Sequence, residues 1–265
     1  MAPQHPNTAL PPFSALPLDP SHPRHSAWGL WGANDEKGTL NLLTDDVVQR
    51  AAQEEIKTGK RISLNWAVNA SRKDECPPFF ARQAFHHEIY MKQPPRLVVD
   101  DTWSFNSQSS SQWDGLRHFG YQKERLFYNG TTEDQIVGAH AGDVLGIHNM
   151  AEQGIVGRGI LLDFHQWRVA TNSAPEYNPF ETGSITLEQL KAVADFQGVG
   201  EIRRGDILLV RSGWFAAFEE LDAEKKRFYA LRTGPPRLSG LEQSEEILEW
   251  MWENHFAAVC LSIAS

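Results

Sequence analysis

Cysteine is nearly absent from this chain. Cys76 and Cys260 are the only two, which excludes a disulfide framework and a Cys-x-x-Cys zinc pair. Positive charge is also in deficit: 25 lysines and arginines stand against 34 aspartates and glutamates, a formal net charge of -9. That balance leaves no basic face for a nucleic-acid partner. No apolar run is long enough to span a bilayer, and no charged-then-apolar start marks a secretory leader, so no membrane partner is expected and the cytoplasm is the expected compartment. Two further patterns are missing. No Gly-x-Gly-x-x-G follows a strand to cradle a phosphate, and no Gly-x-Ser-x-Gly elbow presents a nucleophilic serine. Nor does any segment repeat another.

What is present suits a chain with a full core. At 265 residues and 41% hydrophobic it suits one large domain or two small ones. Nine tryptophans and fourteen phenylalanines are generous for this length. Most are expected in the core, which aromatics dominate, and the remainder as the lining of a pocket for a flat or aromatic ligand. Proline is unevenly spread: seven of the fifteen lie between Met1 and Arg24. Residues 1–26 therefore read as an extended or disordered arm carrying solvated histidines His5, His22 and His25, and residues 27–265 as the domain.

Local signals place the elements. Thr44 is a predicted N-cap, with Asp45 and Asp46 at the positive end of a helix that Gly59 should stop. Arg61 to Val68 alternates polar and apolar as a half-buried strand does, and the stretch from Asn69 to Arg82 reads as a loop. Pro94-Pro95 separates two extended segments, His87–Lys92 and Leu97–Phe105. Val144–Gln153 reads as a helix and Gly159–Asp163 as a short buried strand. Thr186 and Gln189 have capping-box spacing, opening a helix that Gly198 can close. Gly205–Val210 is a second buried strand, Ser239 a candidate cap for a helix through Trp252, and Phe256–Ile263 a third apolar strand. The mixture predicts an α/β or α+β fold with a buried sheet.

One segment concentrates chemistry: Gln108-Ser-Ser-Ser-Gln112-Trp-Asp114-Gly-Leu-Arg-His118. Asp114 can ligate a metal or orient an imidazole, and His118 can move protons near neutral pH. The plain alternative is a hydrogen-bonded structural pair. With no elbow around them, Ser109, Ser110 and Ser111 read as turn-forming or solvent-facing. His86 and His87 open a strand, so their side chains point to opposite faces and at most one can reach a pocket. Arg158 is expected to pair with a carboxylate or cap carbonyls, with Gly157 and Gly159 serving backbone turns.

The segment resembles the His-x-Gly-Thr-His-x-Asp-x-Pro-x-His signature of the metal-dependent cyclase/hydrolase family that includes bacterial-type arylformamidases and isatin hydrolases. Other blocks follow in the family's order: Trp31-Gly with Asp35–Thr44, Glu55–Leu64, Tyr128-Asn-Gly130, Gly154–Asp163 and Gly205–Trp214. The resemblance implies a cyclase-like fold, a buried mixed β-sheet flanked by helices, and a homo-oligomer. It further implies action on a small cyclic or aromatic carbonyl compound, either hydrolysis of an amide, lactam or lactone or an intramolecular cyclisation or dehydration. Asp114 matches the family's ligand aspartate and His118 its acid/base histidine. Gln108 and Gln112 stand at the two histidine-ligand positions, so the implied zinc or manganese would rest on Asp114, Gln108 and Gln112. A glutamine amide is a weak ligand for zinc and a better one for a harder ion. Ser109–Ser111 replace the family's x-Gly-Thr, and Leu116 its proline. In the family a further histidine and glutamate follow the strand that Phe256–Val259 resembles; here Cys260–Ser265 ends the chain, so the domain is expected to lack that segment. His140, His148 and His165 are candidates to substitute for a lost ligand. These departures keep a second expectation in view, a non-catalytic relative that retains the fold with an aromatic pocket or an oligomer interface.

Overall fold

The computed structural model describes residues 9–70, 76–181, 183–234, 237 and 239–262. Helix α1 (Asp45–Glu55) begins where Thr44 accepts a hydrogen bond from the Val47 amide, with Asp45 and Asp46 in its first turn. It ends at Glu55, short of Gly59. Ile56 is 71% exposed, so a further turn would bury nothing. The segment from Arg61 to Val68 forms no strand. Its alternation has no neighbouring strand to pair with, and Ile62 and Leu64 are exposed. Strands β1 (His86–Met91) and β2 (Val99–Ser104) pair antiparallel, His87 opposite Trp103 and Met91 opposite Val99. This hairpin stands away from the body with Ile89, Leu97, Val99 and Trp103 exposed.

The second half alternates strands and helices. After α2 (Glu133–Val137), helix α3 covers His148–Gln153 and starts later than Val144, because Leu145 adopts φ +55 and cannot lie inside a helix. Strand β3 (Gly159–Leu162) leads into α4 (Phe164–Thr171), whose first turn is capped by the Asp163 carboxylate. Strand β4 (Gly183–Ile185) precedes α5 (Leu187–Gln197), opened by the Thr186–Gln189 capping box and closed by left-handed Gly198. Then come β5 (Ile207–Val210), α6 (Trp214–Glu219), α7 (Ala223–Leu231), β6 (Ser239–Leu241), α8 (Glu245–Glu253) and β7 (Ala258–Leu261). Ser239 is not a helix cap. It starts β6, which pairs parallel with β4, and Ser244 caps α8 by accepting from the Ile247 amide.

Strands β3, β5 and β7 form a parallel three-stranded sheet with β5 central, giving a mixed α/β fold. Ile160, Leu162, Leu208 and Val210 pack on Ile185, Leu190, Val193, Ile247 and Phe256. Each such fully buried aliphatic contributes about 1.5–3 kcal/mol. Gly205, at φ +87 before β5, lets α1 approach: a Cβ there would lie 2.9 Å from Val47 Cγ1.

From residue 9 the proline-rich N-terminal segment is a packed strap, not the expected disordered arm. Phe13 and Leu16 are buried, the Phe13 amide donates to Glu253 Oε1, and Trp252 donates to the Pro11 carbonyl. His25 stacks on Phe13 at 4.5 Å and His22 leans on Trp28, so neither is the solvated histidine its context predicts. Short proline-fixed turns lose little entropy on docking, and two aromatic rings anchor them. His5 lies outside the described residues.

Candidate active site

Strand β2 delivers the chain to Asn106, where an irregular segment begins. The Asn106 side chain accepts from the Gln108 amide at 2.8 Å and its carbonyl from Ser109 Oγ at 2.7 Å, an Asx-type turn that starts the motif. Ser109 and Ser110 are buried. Ser110 Oγ donates to the Trp66 carbonyl at 2.8 Å, and Ser111 Oγ accepts from the Trp66 amide. Ser109 is turn-forming and Ser111 is exposed, as expected, whereas Ser110 is a buried anchor. Beyond them Trp113 Nε1 donates to Met150 Sδ in α3, and Leu116 packs with Leu40, Leu42 and Met150. The His118 amide closes a turn on the Gly115 carbonyl at 3.0 Å.

These anchors bring Gln108, Asp114 and His118 together. The Gln108 side-chain amide donates to Asp114 Oδ1, and its nitrogen lies 3.4 Å from His118 Nδ1. Asp114 Oδ1 and His118 Nδ1 are 3.8 Å apart, near enough to attract and too far for a hydrogen bond. Arg82, at the end of the Asn69–Arg82 loop, also belongs here. It donates to the Gln108 carbonyl at 3.0 Å; burial lowers its guanidinium pKa, and the Asp114 charge pulls it back up. Gln112 does not join the cluster: its amide donates to the Trp113 carbonyl at 2.9 Å.

Gln112 and the three serines instead form one wall of a cavity of about 350 Å³, within the range of small-molecule sites. Trp66, Phe79, Trp214 and Phe215 line it as an aromatic cage, with Trp66 and Phe79 set edge-on to Trp214. Arg211 and Cys260 add polar groups. Arg211 is held by the buried Asp163 carboxylate at 3.0 and 3.2 Å. Burial pushes the Cys260 thiol up, leaving it protonated and a poor nucleophile at neutral pH. Asp114 and His118 lie outside this lining, on the next turn of the same segment. The cage residues carry no local motif; only the aromatic richness of the sequence pointed to them.

The "Putative cyclase" family model matches residues 19–263. The chain belongs to the cyclase family. It is similar to a solved structure described as a novel cyclase, with 28% identity over 88% of this chain and 75% of that one and a TM-score of 0.71. It is also similar to isatin hydrolase A from Ralstonia solanacearum, with 16% identity over 84% and 74% of the two chains and a TM-score of 0.51, a likeness of fold. No curated protein matches the chain.

The divalent metal that the resemblance implies for a cyclase of this family does not fit the donors present. To share a cation with Asp114, Gln108 would have to offer its carbonyl oxygen, yet its NH2 faces the carboxylate. Gln112 is turned to the Trp113 carbonyl and the cavity wall. Among the described residues no three histidine, cysteine, aspartate or glutamate side chains converge as a metal-binding group. Asp114 and His118 together supply two donors, fewer than a zinc or manganese site takes from protein.

The other candidate residues of this cyclase-family chain have local roles. His87 pairs with Asp101 at 2.9 Å on the hairpin, while His86 is exposed. His140 pairs with Asp134 at the surface, and His148 is exposed at the start of α3. His165 lies against Gly213, where a Cβ would come within 2.5 Å of its Nδ1. Burial first, then the Arg211 and Arg168 charges, lower its pKa and keep it neutral. Arg158 both pairs with Asp206 at 2.6 and 2.8 Å and caps the Glu201 carbonyl, as expected of it.

Proposed function

We propose that the chain is a cyclase or hydrolase acting on a small cyclic or aromatic carbonyl compound, with His118 as acid/base and Asp114 as the carboxylate that balances its charge. The observation carrying this is the Gln108–Asp114–His118 cluster, set on the same short segment that walls an aromatic cavity of about 350 Å³. The cavity is the site for the substrate's flat apolar part, and the exposed imidazole acts on a carbonyl presented at its edge. In hydrolysis His118 would take the attacking water's proton and return it to the leaving group. In an intramolecular cyclisation it would donate a hydrogen bond to the carbonyl oxygen as the substrate's own hydroxyl adds to the carbon, the hydroxyl proton passing to that oxygen. No proton is consumed in either case. The cluster suits cyclisation or dehydration better, because those reactions need less electrophilic help than amide hydrolysis.

Membership of the cyclase family and the likeness to a solved cyclase support this reading. The assembly we propose is a homo-oligomer, supported by the exposed apolar side chains of the β1–β2 hairpin. A panel of aromatic lactones, lactams, formamides and hydroxy-carbonyl precursors tests the activity by product formation. His118→Ala should lower kcat/KM by about 10²–10⁴-fold on any substrate turned over, the usual contribution of an acid/base group. Turnover that survives His118→Ala unchanged sinks the mechanism. A second reading, a non-catalytic relative that binds an aromatic ligand in the cavity, is favoured by the mismatch between the donors present and a metal. Ligand binding by His118→Ala and wild type alike, with no turnover of any panel member, would support it.

A further inference from the structure

One side chain in the cluster reaches both of the others. The Gln108 amide nitrogen donates to Asp114 Oδ1 and lies 3.4 Å from His118 Nδ1. A carboxylate offers only acceptors, so the amide group facing Asp114 must be the NH2, and this settles which way the amide is turned. An NH2 carries two hydrogens, one for Asp114 and a second for His118. A ring nitrogen that accepts from an amide carries no proton of its own. Nδ1 is therefore the bare nitrogen, and neutral His118 holds its proton on Nε2. Asp114, 3.8 Å from Nδ1, is too distant to hold a proton there in competition. The Gln108 backbone is itself restrained, with its amide on Asn106 and its carbonyl on Arg82.

We infer that Gln108 is a positioning residue that stands in for a cation: its amide ties Asp114 to His118 and sets His118 in the Nε2–H form, so that the imidazole meets substrate as a hydrogen-bond donor to the carbonyl, which serves cyclisation and not base-led hydrolysis. This rests on the reading of His118 as the acid/base group. A metal bound at this motif would draw the carboxylate away from the amide. The hydrogen-bonded triad and a metal-bound Asp114 are alternatives at one place. His118 donates its Nε2–H hydrogen bond to the substrate carbonyl oxygen as the new carbon–oxygen bond forms and the carbonyl π electrons move onto that oxygen. The proton of the adding hydroxyl passes through solvent to the same oxygen, and His118 keeps its own.

The test uses the full chain labelled with nitrogen-15 in its histidine rings, with the His118 signals assigned by their loss in His118→Ala. Wild type should show a protonated Nε2 and a bare Nδ1. Gln108→Glu replaces the donor with an acceptor and should invert the pattern, placing the proton on Nδ1. Gln108→Leu should leave the two tautomers mixed and lower kcat/KM by about 10–100-fold, as loss of an orienting partner does. Calorimetric titration of wild type with zinc and with manganese should give no stoichiometric binding. A wild-type His118 protonated on Nδ1, a tautomer indifferent to both Gln108 variants, or stoichiometric metal binding lost in Asp114→Ala would each overturn the inference. All three readouts are independent of turnover. Should they come out as expected while His118→Ala keeps full activity, the proposed function fails and the positioning role stands.

Discussion

Asp114 and His118 have side chains 45% and 43% exposed, so water screens their attraction and the pair alone restrains neither. Restraint comes from the neighbours that hold Gln108, and from Trp113 and Leu116, which fasten the chain on either side of Asp114. His165 is the contrasting case, a histidine whose surroundings disfavour its charge. Its Nδ1 is buried without a hydrogen-bond partner among the described residues, and the Arg211 and Arg168 charges add to the burial. A lowered folded pKa means that the unfolded chain binds more protons on acidification. Stability linked to His165 is therefore fully present above the ordinary histidine value of 6.5 and is lost as pH falls through the lower folded value. Urea midpoints measured across that range should drop on the acid side. His165→Gln, which cannot ionise, should flatten that part of the profile; an unchanged slope would count against this assignment.

The elements show where local signals suffice. Thr186 accepts from the Gln189 amide at 3.2 Å, and the Gln189 side chain returns a bond to the Thr186 amide at 3.0 Å. Thr186→Ala should lower stability by about 1 kcal/mol in urea denaturation, with no change at the motif 108–118. A loss below a few tenths of a kcal/mol would mean that the packing of Leu190 and Val193 holds α5 regardless of its cap. Caps at Thr44 and Thr186 and the left-handed close at Gly198 are all legible in the sequence, because each depends on residues within a few positions. Ser239 misleads for the same reason. It lies before an apolar run much as a cap would, but β4 supplies a strand partner that no local pattern announces, and the cap passes to Ser244. Likewise Arg61–Val68 alternates like a strand yet stays unpaired, held at Trp66 by the serines and by the rings of Trp214, Phe215 and Phe218.

Across the whole molecule, the parallel sheet fixes the floor of the cavity and the hairpin remains outside the core. A two-stranded hairpin is at best marginally stable by itself, and this one exposes Ile89 at 63%, Val99 at 60% and Trp103 at 58%. With the register observed, those three side chains share one face, Ile89 opposite Asp101 and Val99 opposite Met91. A homo-oligomer that covers this face should dissociate when Trp103→Asp and Val99→Lys are combined. Sedimentation velocity should then show a shift toward the monomer mass, whereas an equal mass for variant and wild type would place any interface elsewhere.

By itself the sequence determined the three apolar strands near 160, 208 and 259, the helix caps, and the neighbourhood of Asp114 and His118 on one short segment. All of these rest on residue spacing, which acts over a turn or a strand. Only the tertiary structure decided that Gln108 reaches His118 while Gln112 turns to the cavity wall, that Arg82 stands behind the cluster, and that Trp66, Phe79 and Trp214 meet in one cage. The cage joins residues far apart in the chain, and the nearer contacts turn on side-chain orientation. They are set by how helices and loops pack around the sheet, and side-chain packing leaves no periodic mark in the sequence.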